Sequence, residues 1–213
     1  MVKIFRYEEN STELIANTYI IGKIGGNCLI VDIGSNKDDI ISYVDSHYDR
    51  VVGVLLTHGH FDHIRGLNKL LKHYKNKYEI PVYLSEYDKE FLTSPQKNSG
   101  GLTNENIVVN VDPIPVTDGE KLKIKDFHVQ VIHTPFHTMG SVCYLFEDDN
   151  ALFTGDTLFK GGIGRTDLYG SDASLMKDSL KKLGLLNENL VVYPGHGPVT
   201  RLQNEKHDNP FLK

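Results

Sequence analysis

The stretch Thr57-His58-Gly59-His60-Phe61-Asp62-His63 governs how the rest of this chain is read. Three histidines and an aspartate fall within six positions, directly after the apolar run Val51–Leu56. That density of ligating side chains points to a metal site. His58 and His60 stand two residues apart in an extended segment leaving a strand, so their side chains can point the same way. Asp62 and His63 then fall on the first turn of a following helix, where the dipole favours a carboxylate. Four such groups crowd a volume that one ion shares with difficulty. Two ions are the natural reading.

Further candidates lie at strand ends downstream. His137 sits in His133-Thr134-Pro135-Phe136-His137-Thr138, Asp156 in Phe153-Thr154-Gly155-Asp156-Thr157, and His196 in Tyr193-Pro194-Gly195-His196-Gly197-Pro198. Glycines beside a ligand let backbone approach an ion, and strand-end loops are where sites collect. Taken singly, each reads more often as a turn or cap residue than as a ligand.

Around these motifs the pattern is one of short Val/Ile/Leu-rich strands bounded by Gly, Asn and Asp. They cover 19–24, 28–32, 51–56, 82–84, 108–111, 121–124, 129–132, 142–146, 152–154 and 190–192. The stretch 23–27 reads as a hairpin turn. Helical periodicity predicts helices over 38–44 behind a Ser35/Asn36 cap, over 62–74 and over 171–183, the last stopped by Gly184. Strands with helices appended in each half suggest two sheets covered by helices on their outer faces. Residues 94–105, with Pro95, Gly100 and Gly101, form the expected mobile loop.

Composition narrows the function classes. The 213 residues, 39% hydrophobic and 24% charged, suit one soluble domain over 1–213. A formal charge of −5 argues against non-specific binding to nucleic acid or anionic membranes. No apolar run approaches the roughly 18 residues of a membrane span. No apolar segment follows the charged N-terminus as a secretory signal requires. Two cysteines, Cys28 and Cys143, make no disulfide framework and read as core residues, so a reducing cytoplasm is expected. No nucleic-acid or membrane partner is expected, and the oligomeric state stays open.

Thr57–His63 together with His137, Asp156 and His196 resembles the metallo-β-lactamase superfamily, over nearly the whole chain. The resemblance implies an α/β fold, an αββα sandwich of two mixed β-sheets flanked by helices, with a binuclear site at one edge. Carried over by position, His58, His60 and His137 would hold one metal. Asp62, His63 and His196 would hold the other, and Asp156 would bridge them. Two divalent ions are implied, zinc first, with iron or manganese as alternatives.

Within the superfamily the chain looks like the short bacterial glyoxalase II-like (hydroxyacylglutathione hydrolase-like) group. The similarity runs through residues 153–159, Gly162-Ile163-Gly164-Arg165-Thr166-Asp167, and Glu205 with Asn209-Pro210-Phe211. The chain departs from full-length glyoxalase II in ending 17 residues after His196, without a C-terminal helical substrate domain. Arg165 and Asp167 stand where that enzyme has Lys and Tyr, Pro198 replaces a Tyr, and Phe136 replaces a Gly.

The implied chemistry is attack by a metal-bound hydroxide, with Asp62 and Asp156 as catalytic carboxylates within the ligand set. No dedicated proton donor is visible outside that set. This favours a thioester, whose thiol departs as thiolate, over an amide. The expected enzyme is therefore a metal-dependent thioesterase acting on a small hydroxyacyl thioester such as S-lactoylglutathione. Arg165 is the candidate substrate anchor, with a salt bridge to Asp167 as its structural alternative; Lys160 is a weaker candidate. Asp32 reads either as an acceptor that orients the His58 loop or as a turn residue. The alternative with the same fold is a mononuclear iron persulfide dioxygenase using His58, His137 and Asp156, whose family shares the 162–167 stretch. Lactone or phosphodiester hydrolysis and a non-catalytic metal-binding protein are the remaining readings. His47, His73, His128, His133 and His207 are read as ordinary surface or strand-end residues.

Overall fold

The computed structural model describes residues 2–9 and 15–213. The first sheet comprises β1 (Lys3–Tyr7), β2 (Thr18–Gly22), β3 (Asn27–Val31), β4 (Arg50–Leu55), β5 (Val82–Ser85) and β6 (Ile114–Val116), side by side in that order. The second comprises β7 (Lys121–Ile124), β8 (Phe127–His133), β9 (Val142–Phe146), β10 (Ala151–Gly155), β11 (Val191–Pro194) and β12 (Thr200–Arg201), also in sequence order. Both sheets are mixed: β3–β6 run parallel, as do β10 and β11, and the other neighbours are antiparallel. The helices are α1 (Asp38–His47), α2 (Phe61–Ile64), α3 (Leu67–Tyr74), α4 (Met176–Gly184) and α5 (Leu202–Asp208).

Side-chain alternation explains the layering. Tyr19, Ile21, Leu29 and Val31 face the second sheet and pack with Val142, Tyr144, Phe146 and Phe153. Their neighbours Ile20, Cys28 and Ile30 face outward under Ile40, Val44, Leu67 and Leu70 of α1 and α3. On the far side Cys143, Leu145 and Leu152 pack against Leu183 of α4 and Leu202 of α5. Strands buried on both faces must be apolar at every position, which is why their sequences show runs rather than alternation. The result is the αββα sandwich.

Several local expectations change. The helix expected over 62–74 is broken at Arg65-Gly66, because Gly66 packs where a Cβ would lie 2.1 Å from the Ser35 carbonyl oxygen. Its N–H donates to Ile33 O at 2.9 Å. Residues 108–111 form no strand; the strand of that region is β6. The helix expected over 171–183 begins as a 3-10 turn at Ala173–Leu175, with the Asp172 carboxylate accepting from Ser174 N, and α4 includes Gly184. Ser35 and Asn36 give α1 no side-chain cap; Lys37 occupies the cap position. β1, β12 and α5 were absent from the sequence-based pattern. Residues 94–105 are anchored through Asn98, whose buried amide donates to Phe91 O and Ile107 O. No helix among the described residues is long and apolar enough to cross a membrane.

Candidate metal centre

Parallel pairing builds the site. Val31 of β3 lies opposite Leu55 of β4, so the segments leaving both strands emerge side by side. Gly155 of β10 lies opposite Pro194 of β11 and delivers Asp156 and His196 together. The loop after β8 brings His137 from the same sheet edge. The two sheets are joined here: Val142 N donates to Thr57 O at 2.8 Å, and the Tyr144 hydroxyl to Leu56 O at 2.9 Å.

All seven side chains from the sequence pattern converge in this crevice. His58 Nε2 lies 3.0 Å and His137 Nε2 2.9 Å from His60 Nδ1. His196 Nε2 lies 3.1 Å from Asp62 Oδ2, and His63 Nε2 4.0 Å from the same oxygen. Asp156 stands between the groups, with Oδ1 3.2 Å from His63 Nε2 and Oδ2 3.4 Å from His137 Nε2 and 3.6 Å from His196 Nε2. Candidate ligand atoms fall into three overlapping sets: His58-His60-His137, His58-His63-Asp156 and Asp62-His63-His196.

The residues fit a pair of cations. His63 Nε2 and Asp156 Oδ1 are buried, and neither has a hydrogen-bond partner among the described residues. His60 Nδ1 has a ring nitrogen close on each side and at most one proton to share. Buried polar atoms left in this state are costly unless something charged sits among them.

Electrostatics points the same way. Burial, reinforced by the neighbouring His63, His60 and His137, pushes His58 well below the ordinary imidazole range. Burial and then His137 lower His60 to about 3. These rings stay neutral, with lone pairs to offer. Burial opposes the charge on Asp156, yet His196 and His63 hold it well below the carboxylate range. Burial likewise opposes ionisation of Asp62, but His63 and His196 lower it. His63 rises well above its usual value, because Asp32, Asp156 and Asp62 outweigh the desolvation that lowers it. Cations held here would take the place of such protons beside the Asp62 and Asp156 carboxylates.

The rings are aimed by their other nitrogens. Asp32 Oδ2 lies 2.8 Å from His63 Nδ1, while its two oxygens also accept from Thr57 N and Thr57 Oγ1, both at 2.8 Å. Asp32 therefore does orient the His58 loop, and holds His63 as well. It adopts φ 51°, a left-handed conformation that Asp tolerates better than most residues. His137 Nδ1 lies 2.8 Å from Arg165 O. Gly195 gives Asp156 its room, since a Cβ there would lie 2.3 Å from Asp156 Oδ1.

Asp88 has no signal in the sequence beyond being one acid of 28. Fully buried, it accepts from Gly59 N at 2.9 Å, Gly140 N at 2.8 Å and Thr138 Oγ1 at 2.8 Å. It ties the loop of His58 and His60 to the loop of His137. Burial raises its pKa, against the pull of Thr138, Gly59 N and Gly140 N.

The substrate-anchor candidates fare differently. Arg165 lines the cleft beside the site, but its side chain is 62% exposed and its guanidinium donates to both Asp167 oxygens, at 2.5 and 2.7 Å. Lys160 is exposed and lies off the cleft. His133 turns away to Met139 O and stacks on Tyr87. Cys28 and Cys143 are buried, unpaired core residues whose thiols burial pushes up to about 12 and about 11.

Fold and site together define an αββα protein with a clustered His/Asp metal-binding centre. The metallo-beta-lactamase superfamily model matches residues 11–196, and the chain belongs to that superfamily. It is 38% identical over 200 residues to the probable metallo-hydrolase YqgX of Bacillus subtilis, covering 92% of each chain. It is 33% identical over 190 residues to the hydroxyacylglutathione hydrolase GloC of Haemophilus influenzae, covering 87% of each. The crystal structure of the BLEG-1 B3 metallo-beta-lactamase superposes over the whole of both chains with a TM-score of 0.87 and 32% identity. The coarse class is that of a metal-dependent hydrolase.

Proposed function

We propose that the protein is a binuclear metal-dependent thioesterase that hydrolyses hydroxyacyl thioesters. The reaction adds water across the C–S bond and yields a carboxylate, a thiol and a proton. His58, His60 and His137 would hold one divalent ion, Asp62, His63 and His196 the other, with Asp156 between them; zinc suits this N/O set, and iron or manganese are the alternatives. Such ions would lower the pKa of a water to about 7 and offer positive charge to the carbonyl oxygen. Asp32 turns His63 so that Nε2 faces Asp156. The Arg165 carbonyl does the same for His137, leaving its Nε2 toward Asp156.

The carrying observation is the make-up of the cleft. Apart from members of the ligand set, Arg165 is the only titratable side chain among the described residues that line it, and Asp167 holds it. Outside the ligand set, no group among the described lining residues stands ready to protonate an amide nitrogen, whereas a thiol of pKa near 8.5 leaves without one. The name of GloC supports this reading. The buried free thiols of Cys28 and Cys143 suit a reducing cytoplasm. The structural likeness to BLEG-1 favours β-lactam hydrolysis as a second reading. Metal-loaded protein offered S-lactoylglutathione, other S-lactoyl thioesters and β-lactams side by side separates the two: thiol release is expected, and preferential β-lactam turnover would overturn the thioesterase.

A further inference from the structure

The cleft that holds the metal centre, about 460 Å³ in all, extends past the ligands as a slot. Its walls come from two loops. Leu102 stands on one, and Phe159, Ile163 and Leu168 stand on the other, with Phe61 at the inner end. The hydroxyls nearby, those of Ser99 and Thr103, are neutral. Arg165 is the only lysine or arginine among the described residues that line the slot, and both of its bonding nitrogens are committed to Asp167. The undescribed residues 10–14 include no lysine or arginine.

The walls are preformed. Glu205, 2% exposed, accepts from Gly161 N at 2.7 Å, and Asn209, fully buried, donates to Phe159 O at 3.3 Å and Gly162 O at 3.1 Å. The Glu205 and Asn209 positions of the C-terminal motif therefore fix the loop that carries Phe159 and Ile163. Phe159 meets the His196 ring edge-on at 6.0 Å. On the opposite wall the Asn98 amide fixes the loop that carries Leu102. A fixed apolar slot spends little of its binding energy on ordering, and favours ligands that match it.

Glutathione brings two carboxylates and an ammonium. Along the apolar walls of such a slot those charges lose water, and the one cation among the described lining residues, Arg165, is already paired with Asp167, which disfavours the carboxylates most. Resting on the thioesterase reading, we propose that the slot takes the thiol half of the substrate and is built for a neutral, largely aliphatic carrier rather than for glutathione. The metal centre handles the acyl carbonyl and the slot recognises the chain beyond sulfur.

The test uses the metal-loaded full chain and two non-hydrolysable thioethers, S-hexyl-N-acetylcysteamine and S-hexylglutathione, titrated by calorimetry. Hydrolysis of the matching S-lactoyl thioesters is followed in parallel. The neutral compound is expected to bind about tenfold tighter, and its thioester to have the higher kcat/KM. Leu102, 76% exposed, tolerates a charge. Leu102→Lys should narrow that preference by raising affinity for the glutathione conjugate severalfold. Equal or tighter binding of S-hexylglutathione to the unaltered protein would overturn the proposal. A neutral preference in binding without turnover of either thioester would uphold the slot's chemistry and overturn the thioesterase.

Discussion

The metal centre and the slot beside it are built on opposite rules. In the centre polar atoms crowd one another, with His63 Nε2 and Asp156 Oδ1 buried without a hydrogen-bond partner among the described residues, and removal of one side chain leaves buried charges facing each other. The slot is walled by apolar side chains whose loops are held from behind by polar groups that include Glu205, Asn209 and Asn98. Substitutions in the centre are therefore expected to cost metal binding or stability, and those on the slot walls to change preference while keeping the fold. In one scaffold, reaction type is fixed at the strand ends and substrate choice is left to the loops.

The comparison breaks most sharply at Asp156, which lies within 3.6 Å of His63, His137 and His196. Asp156→Ala should abolish tight binding of the second ion and lower turnover by about a thousandfold, the scale of losing a group that stabilises transition-state charge. Metal stoichiometry by elemental analysis checks this; two ions retained per chain would contradict the bridging role. Asp88→Ala should come next. It strands three buried donors and is expected to destabilise the fold by about 3 kcal/mol in urea unfolding. A loss under about 1 kcal/mol would show that the two histidine loops hold themselves.

Asp32→Asn is subtler. Asparagine keeps the left-handed backbone and can still accept from Thr57 N, but its amide N–H₂ then faces His63 Nδ1. The His63 proton moves to Nε2, the atom that faces Asp156. Metal affinity is expected to fall by about 10- to 100-fold, read by competition with a chromophoric chelator. The smallest effect is expected at Arg165, whose exposed pair with Asp167 leaves it little to give. Arg165→Ala should change KM for an S-lactoyl thioester by less than about twofold. A tenfold rise would restore it as an anchor.

The same contrast explains what could be read from the chain alone. His58, His60, Asp62, His63, His137, Asp156 and His196 were legible because ligation admits few residue types and the superfamily spacing is specific. The two sheets and their flanking helices were legible from apolar runs bounded by turn residues. Asp88 was not, because a buried carboxylate that accepts from distant backbone amides leaves no local pattern. Nor was the break at Gly66, which arises from a close approach to Ser35 across the fold. β1 escaped because Lys3–Tyr7 mixes charge with apolar residues at an edge, where only one neighbour is needed. The slot escaped because Leu, Ile and Phe are everywhere in a sandwich and only folding sorts wall from core.

On the proposed function, the seven converging side chains hold two ions for hydrolysis. Elemental analysis of the protein purified without added metal, followed by thioester and oxygen-uptake assays on the same sample, tests it directly. Two divalent ions per chain with thiol released from an S-lactoyl thioester is the predicted result. A single iron, oxygen consumption with a persulfide and no thiol release would contradict it and identify a dioxygenase.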